Sequence, residues 1–273
     1  MRKLPAGMTT ISGQSAQSRN TSPGLKNTPT AVSFEAVVRE SKAKYVLGLS
    51  ATVTRKDGHY PIIFMQCGPV RHRVEARKQA SERPFDHRVI FRSTEFRIAP
   101  GADGGWPPIH EIYAAIVNDD KRNEMIFDDV LHALEDGRSP IIITERKDHV
   151  ALLADRLSRF ARNVVVLCGG MGARQRRETL ARLASIPENQ ERILVATGRY
   201  LGEGFDDARL DTLFLAMPIS WRGTLAQYAG RLHRLHHAKR DVIIYDYVDA
   251  SMPLLARMGD KRRAGYRNLG YGT

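Results

Sequence analysis

The chain has 273 residues, 42% hydrophobic and 26% charged, enough to bury a sizeable core as one large domain or two small ones. No run of about eighteen apolar residues occurs, so no membrane partner is expected. Cys67 and Cys168, with no C-x-x-C pair, fit free thiols in a reducing cytoplasm rather than a disulfide scaffold. The net charge of +12 favours a polyanionic partner, most often nucleic acid, over a generally Arg-rich composition.

Residues 1–31 are a basic mixture rich in Ser, Thr, Pro and Gly that offers little to pack and reads as a disordered leader. "SFEAVVRESKA" has helical spacing through Phe34, Val37 and Val38, and "KYVLGLSAT" reads as a short buried strand entering a tight loop. "PIIFMQCGP" and "VRHRVEAR" add strand-like pieces, and "FDHRVIFRSTEFRI" is extended. "APGADGGWPP" breaks the pattern, so the reading places a linker at 101–109 between a segment 32–100 and a domain 110–250. One or two helices fill 109–137.

A regular alternation follows. Strands are expected at 140–144, 163–169, 192–197, 212–218 and 241–249, and helices at 147–161, 173–186 and 224–235. This is the pattern of an α/β fold with a parallel sheet covered on both faces, with a C-terminal tail over 251–273. Ligands of such sheets bind beyond the carboxyl ends of strands, which points to the loops after Thr144, Gly169, Thr197 and Pro218.

"QYAGRLHR" carries the sharpest chemistry. At 100 degrees per residue, Gln227, Arg231 and Arg234 fall within about 60 degrees of one another, apart from a stripe of Leu225, Tyr228, Leu232 and Leu235. Guanidinium forks stay charged and fit phosphate oxygens, although a solvated basic face is an alternative. Gly230 costs about 1 kcal/mol inside a helix, which suggests a close backbone approach there. In "ATGRYLGEGFDD", Thr197 and Gly198 end a strand and suit nucleic-acid phosphates, while Asp206 could accept from a ribose hydroxyl. Ser50 and Thr52 in "GLSAT" offer hydroxyls at a strand end. Arg174, Arg176, Arg177 and Arg182 lie at or along a helix start, a plausible phosphate-backbone contact. His233, His236 and His237 invite a metal reading, but no matching Cys or carboxylate lies nearby in sequence, so no metal site is expected.

These stretches, in this order, resemble superfamily 2 nucleic-acid helicases of the DEAD/DEAH-box, type III restriction-like branch. "GLSAT" resembles their motif III, "IIITERKDH" motif IV, "ATGRYLGEGFDD" motif V, and "QYAGRLHR" the Q-x-x-G-R-x-x-R of motif VI. The resemblance runs from about Val32 to "YRNLGYG" and implies a RecA-like second domain over 110–250. It also implies that 32–100 is a remnant of a first RecA-like domain, poorly packed or leaning on the second. Arg234 would be the arginine finger, Arg231 a second γ-phosphate contact, and Gln227 a positioner of water or phosphate. Gly204 and Asp206 would sit by the ribose, with Thr197, Gly198, Arg174 and Arg176 on nucleic acid, and Ser50 and Thr52 coupling the two sites.

No G-x-x-x-x-G-K-[ST] loop and no Asp-Glu dipeptide occur in the 273 residues. ATP and Mg²⁺ are therefore expected only in a complete two-domain assembly with a separate first RecA-like half. The chain by itself is expected to bind DNA or RNA without hydrolysing ATP. The competing readings are a non-enzymatic nucleic-acid-binding module and an inactive truncated fragment.

Overall fold

The structure is a computed structural model that describes residues 8–12, 40, 44–49, 64–65, 67–101, 104–198, 205–220 and 222–272. It divides into two compact units, Met1–Val74 and Glu75–Thr273. In the first unit, β1 (Met8–Ser12) and β2 (Tyr45–Leu49) pair in parallel, Met8 opposite Tyr45 and Ser12 opposite Leu49. β1 corrects the expectation that 1–31 is disordered throughout: "MTTIS" supplies two Thr and an Ile, β-branched residues suited to a pleated strand. Phe64, Met65 and Cys67 are helical rather than extended, since a short apolar run does not by itself separate helix from strand. Of the expected helix in "SFEAVVRESKA" only Glu40 is described, and it is helical. Ser50 and Thr52 lie outside the described residues.

The second unit is built on β3 (Asp86–Ser93), β4 (Pro140–Thr144), β5 (Val164–Leu167), β6 (Ile193–Thr197), β7 (Thr212–Leu215) and β8 (Asp241–Val248). They form one sheet in the order β3-β8-β7-β4-β6-β5, every pair parallel. The helices are α1 (Ala76–Ser81), α2 (Ile109–Val117), α3 (Asp120–Glu135), α4 (Lys147–Leu157), α5 (Ala173–Ser185), α6 (Arg222–Leu232) and α7 (Pro253–Leu269). The alternation read from the sequence is present strand by strand.

Two expectations change. β3 pairs with β8 along its whole length, from Asp86 opposite Asp241 to Ser93 opposite Val248. Residues 75–100 thus belong to this unit through β3, and 101–109 is a connection within the unit rather than a linker between domains. The cause is apolar: Val89 and Phe85 join the same buried cluster as Val242 and Ile244 of β8. The free edge of β3 is partly covered by the chain end, where Gly272 donates to His87 O (2.9 Å) and accepts from Val89 N (3.0 Å). The expected tail at 251–273 is mostly α7, a 17-residue helix with Pro253 in its first turn and Gly270 closing it at φ 84°.

The sheet buries both faces. Ile141 and Ile143 of β4 point to one cluster with Leu183 of α5, Leu225, Tyr228 and Leu232 of α6, and Tyr266 of α7. Ile142 points to the other, with Ile126 and Val130 of α3 and Val150, Leu153 and Leu157 of α4. The period-2 alternation of a strand explains how three consecutive isoleucines serve two layers.

Buried ion pairs fix the connection between β7 and α6. Arg262 of α7 grips Asp246 of β8 through Nε (2.8 and 3.0 Å) and one terminal nitrogen (2.7 Å), and donates from the other to Ile219 O at 3.1 Å. From the opposite face Arg122 of α3 bonds Asp249 (2.9 Å) and donates to Ala216 O (2.6 Å). Tyr113 of α2 donates to Pro218 O at 2.7 Å. Three carbonyls in four residues are thus held by three different helices. Removing one partner of such a pair strands a buried charge, at about 3–5 kcal/mol. Arg262→Leu is expected to lower unfolding free energy by about that amount in urea titration, and adding Asp246→Leu to recover much of it. A loss under about 1 kcal/mol for the single variant counts against the clamp.

Candidate functional site

α6 carries the candidate residues. Leu225, Tyr228, Ala229 and Leu232 are buried against the sheet, while Gln227 and Gly230 are exposed and Arg231 half-buried. The helix ends at Leu232, so Arg234 lies just past it and Leu235 leaves the expected apolar stripe, 67% exposed. The close approach expected at Gly230 is not made among the described residues: a Cβ there meets nothing within 4 Å.

Two groups of residues meet α6. The first lies at the carboxyl ends of β4, β5 and β6. Tyr228 donates to Glu145 Oε1 at 2.8 Å, just beyond β4, and Thr197 Oγ1 at the end of β6 accepts from Gly169 N at 3.2 Å. Gly198 closes this group, because a Cβ there would lie 1.6 Å from the Tyr228 hydroxyl and 2.6 Å from Glu145 Oε1. Burial and the Glu145 carboxylate push the Tyr228 phenol well up, so it remains a donor.

The second group surrounds the last turn of α6. Arg231 donates to Phe205 O at 2.6 Å, and Arg234 Nε pairs with Asp206 Oδ1 at 2.8 Å. By this point the chain has returned along the sheet, since Asp207 pairs with Arg192, which precedes β6, at 2.6 Å. The arginines are therefore not in the carboxyl-end loops where ligands of such sheets were expected. Burial lowers the Arg231 pKa; Asp206 opposes this and Arg234 adds to it. Buried Lys239 donates to Leu232 O (2.7 Å) and Arg234 O (2.8 Å), satisfying carbonyls at the helix end. Its desolvation lowers the ammonium pKa to about 8.

Arg231, Arg234 and Asp206 are thus brought together, Gln227 is one turn away, and Thr197 and Gly198 stand in the separate carboxyl-end group. Gly204 lies outside the described residues. Arg174 opens α5, strongly exposed and paired with Glu178 at 2.8 Å; Arg176 is half-buried on the same helix. Sequence reading missed Glu145, Tyr228 as a hydrogen-bond donor, and Lys239. A lone acid after an apolar strand and a lone lysine in a basic stretch carry no spacing signal.

In the segment resembling motif IV, His149 is buried between Thr144 Oγ1 (3.0 Å) and Asn123 Oδ1 (2.9 Å). Asn123 Oδ1 can only accept, so His149 Nε2 donates to it and Nδ1 accepts from Thr144. Burial lowers the His149 pKa to about 3, with Arg122 adding to the effect. His233, bonded to Tyr271 OH at 2.9 Å and edge-on to His87, is lowered to about 3 mainly by burial.

With this geometry in place, comparison with known proteins is direct. Residues 123–236 match the family described as Helicase conserved C-terminal domain. The match covers less than half of the chain and makes that segment similar to the C-terminal domain of helicases. A protein of Acanthamoeba polyphaga mimivirus, named as the ATP-dependent RNA helicase L396, is 24% identical over 244 residues, covering 87% of this chain and 44% of that protein. Transcript termination protein A18 of vaccinia virus (strain Ankara) is 30% identical over 118 residues, 42% of this chain and 23% of that protein. The chain spans less than half the length of these curated relatives. Among solved structures, T4 UvsW superposes with TM-score 0.52 at 18% identity, covering 69% of this chain and 41% of that one. Dbp5 of S. cerevisiae, bound to RNA and ADP BeF3, superposes with TM-score 0.55 at 15% identity, covering 88% and 53%. These likenesses show the fold: a RecA-like parallel sheet flanked by helices. Among the described residues no helix is long and apolar enough to cross a membrane.

Two outcomes follow. Gly198→Ala forces Tyr228 or the backbone aside and is expected to destabilise by about 1–3 kcal/mol. Tyr228→Leu in the same chain removes the closest contact and leaves only the flexible Glu145 carboxylate to shift, so the double variant is expected to be less damaged than the sum of the singles, measured as a double-mutant cycle in urea. For pH, both His149 and His233 have folded pKa values below 6.5, so the unfolded chain binds their protons first. Their contribution is fully present above pH 6.5 and falls as pH drops toward 3, by up to about 1.4 kcal/mol per pH unit each. Urea titrations at pH 6.5 and 5.5 are expected to show this slope, and His149→Gln to flatten it.

Proposed function

We propose that this chain supplies the second RecA-like half of an ATP-dependent nucleic-acid helicase or translocase. The observation that carries the reading is the Arg231–Arg234–Asp206 group at the end of α6, two guanidiniums beside one carboxylate on a face left open at Gly230. Arg234 is the arginine finger and Arg231 a second contact to the γ-phosphate of ATP held, with its Mg²⁺, by another RecA-like half. Gln227, exposed on the same helix face, positions the attacking water or the phosphate. Asp206, and Gly204 in the same loop, serve the ribose.

The Arg234–Asp206 pair is more than half exposed on both sides, and pairs of that kind contribute about 0–1 kcal/mol. Nucleotide can therefore exchange the partners at small cost, drawing Arg234 to phosphate and freeing Asp206 for a hydroxyl. Thr197, Gly198, Arg174 and Arg176 serve the backbone of DNA or RNA. The relative named as an RNA helicase and the RNA-bound Dbp5 fit this.

Catalysis by an arginine finger requires a triphosphate already held and charged with Mg²⁺. In a two-domain enzyme made by joining a first RecA-like half to this chain, Arg234→Ala is expected to lower nucleic-acid-stimulated ATP hydrolysis about a thousandfold or more. Binding of a labelled single strand should change little. Hydrolysis unaffected by Arg234→Ala would favour the competing reading of a non-enzymatic nucleic-acid-binding module, which the +12 charge also suits.

A further inference from the structure

Immediately beyond the arginines, His236 and His237 face a carboxylate that lies 48 and 49 residues away in sequence. Glu188 Oε1 is 3.7 Å from His236 Nε2, and Glu188 Oε2 is 3.6 Å from His237 Nε2. The three candidate donor atoms all lie within 4.8 Å of one another. The two imidazoles lie side by side, centroids 4.5 Å apart and planes 31° from parallel. We propose that Glu188, His236 and His237 bind a divalent transition-metal ion, Zn²⁺ in particular, independently of the helicase reading.

A tetrahedral Zn²⁺ with bonds of about 2.0–2.2 Å holds its ligand atoms about 3.4 Å apart. The imidazole nitrogens stand 3.7 and 3.6 Å from two different carboxylate oxygens, and the three donors lie within 4.8 Å of one another, so turning the exposed Glu188 and His237 side chains brings one oxygen and both nitrogens to that spacing. Two imidazoles and a carboxylate leave the fourth position for water, and the group borders a cavity of about 300 Å³ also lined by Ser139, Asn189 and Asp211. Nitrogen and oxygen donors without thiolate select Zn²⁺ and similar borderline ions over Ca²⁺ or Mg²⁺.

The site is partly preorganised. His236 is largely buried, with its side chain 15% exposed, while Glu188 and His237 stand in solvent. The Glu188 backbone is fixed by Arg209, which donates to the carbonyls of Pro187 (3.1 Å), Glu188 (3.0 Å) and Gln190 (3.0 Å). Before binding, His236 Nδ1 accepts from Ala238 N at 3.3 Å, which places the ring proton on Nε2. Coordination through Nε2 moves that proton to Nδ1 and turns the exposed Ala238 N–H to water. The ion would then tie the segment following α6 to the loop before β6, two residues from Arg234.

The test is zinc binding to the full chain, read by competition with a chromophoric chelator and by the zinc-dependent rise in Tm. One equivalent of Zn²⁺ is expected to bind and to raise Tm. Glu188→Gln and His237→Ala, both at exposed positions, should each weaken binding about tenfold or more and reduce the Tm rise. His110→Ala, at another exposed histidine beside an acid, should leave both unchanged. Co²⁺ in place of Zn²⁺ should give visible absorption bands that the same two variants lose. No zinc uptake at one equivalent, or uptake that both variants retain in full, overturns the proposal.

Discussion

The connection between β7 and α6 is the part of this fold on which the rest depends. It must turn the chain from a fully buried strand into a helix whose outer face stays open. Carbonyls in such a turn lack sheet or helix partners and would be costly to bury unpaired. Ala216, Pro218 and Ile219 are instead satisfied by Arg122, Tyr113 and Arg262, and both arginines are neutralised by acids of one element, Asp246 in β8 and Asp249 just after it. β8, next to the sheet edge, thus anchors α3 on one face and α7 on the other, and through them aims α6. The energetic worth of a buried pair against an apolar substitute is small, but its directional demand is strict. What these pairs supply is orientation.

Orientation matters because α6 joins two groups that differ in rigidity. Tyr228, one turn before Arg231, is buried and bonded to Glu145, and Gly198 is pressed against it with no room for a methyl group. Arg234 is solvent-exposed and held by one surface carboxylate. A helix fixed at its start by the clamp and at its middle by Tyr228 has one end free to exchange partners. Under the proposed function, a displacement of Gly198 by nucleic acid reaches the arginines through a single turn of helix, about 5.4 Å. The first turn of α5 offers a second positive surface, but its Arg174 is already paired within its own helix and brings no such linkage.

Much of this was legible in the sequence. The runs PIIIT, VVVL, ILVAT and TLFL are strands because β-branched and leucine side chains fill both faces of a parallel sheet, and the spacing after PIIIT, VVVL and TLFL leaves room for a helix. The face carrying Gln227, Arg231 and Arg234 was legible because helical periodicity sorts residues by angle. β3 was extended as expected but assigned away from its sheet, since the Pro- and Gly-rich stretch after it looks like a boundary and nothing local shows that β3 lies beside the last strand. α7 is less legible although Pro253 and Gly270 bracket it, because its composition is as basic as a solvated tail and its buried face, Leu255, Met258, Gly259, Arg262, Gly265 and Tyr266, includes an arginine and two glycines. The clamp arginines and Glu188 were invisible for a common reason: their partners are distant in sequence, and only the fold brings them within bonding range.

The two arginines at the end of α6 pose an electrostatic problem that the chain solves only halfway. Arg231 is partly withdrawn from water, which disfavours its charge, and the neighbouring Arg234 adds to that effect. Asp206 offers one negative charge against their two, and Lys239 adds a third cation to the same helix end, where it spends its donors on backbone carbonyls. The helix terminus itself contributes partial negative charge, but that is shared with Lys239 and fades within a turn. Guanidinium charge gathered in this way attracts a polyanion, and it does so without rearranging the core, since the clamp and Tyr228 already fix the helix that carries it. Under the proposed function, a triphosphate presented from outside the unit meets that demand with several oxygens at once. Next to Arg231 the helix surface at Gly230 is open, a Cβ there meeting nothing within 4 Å, so such a partner can come close without displacing a described residue.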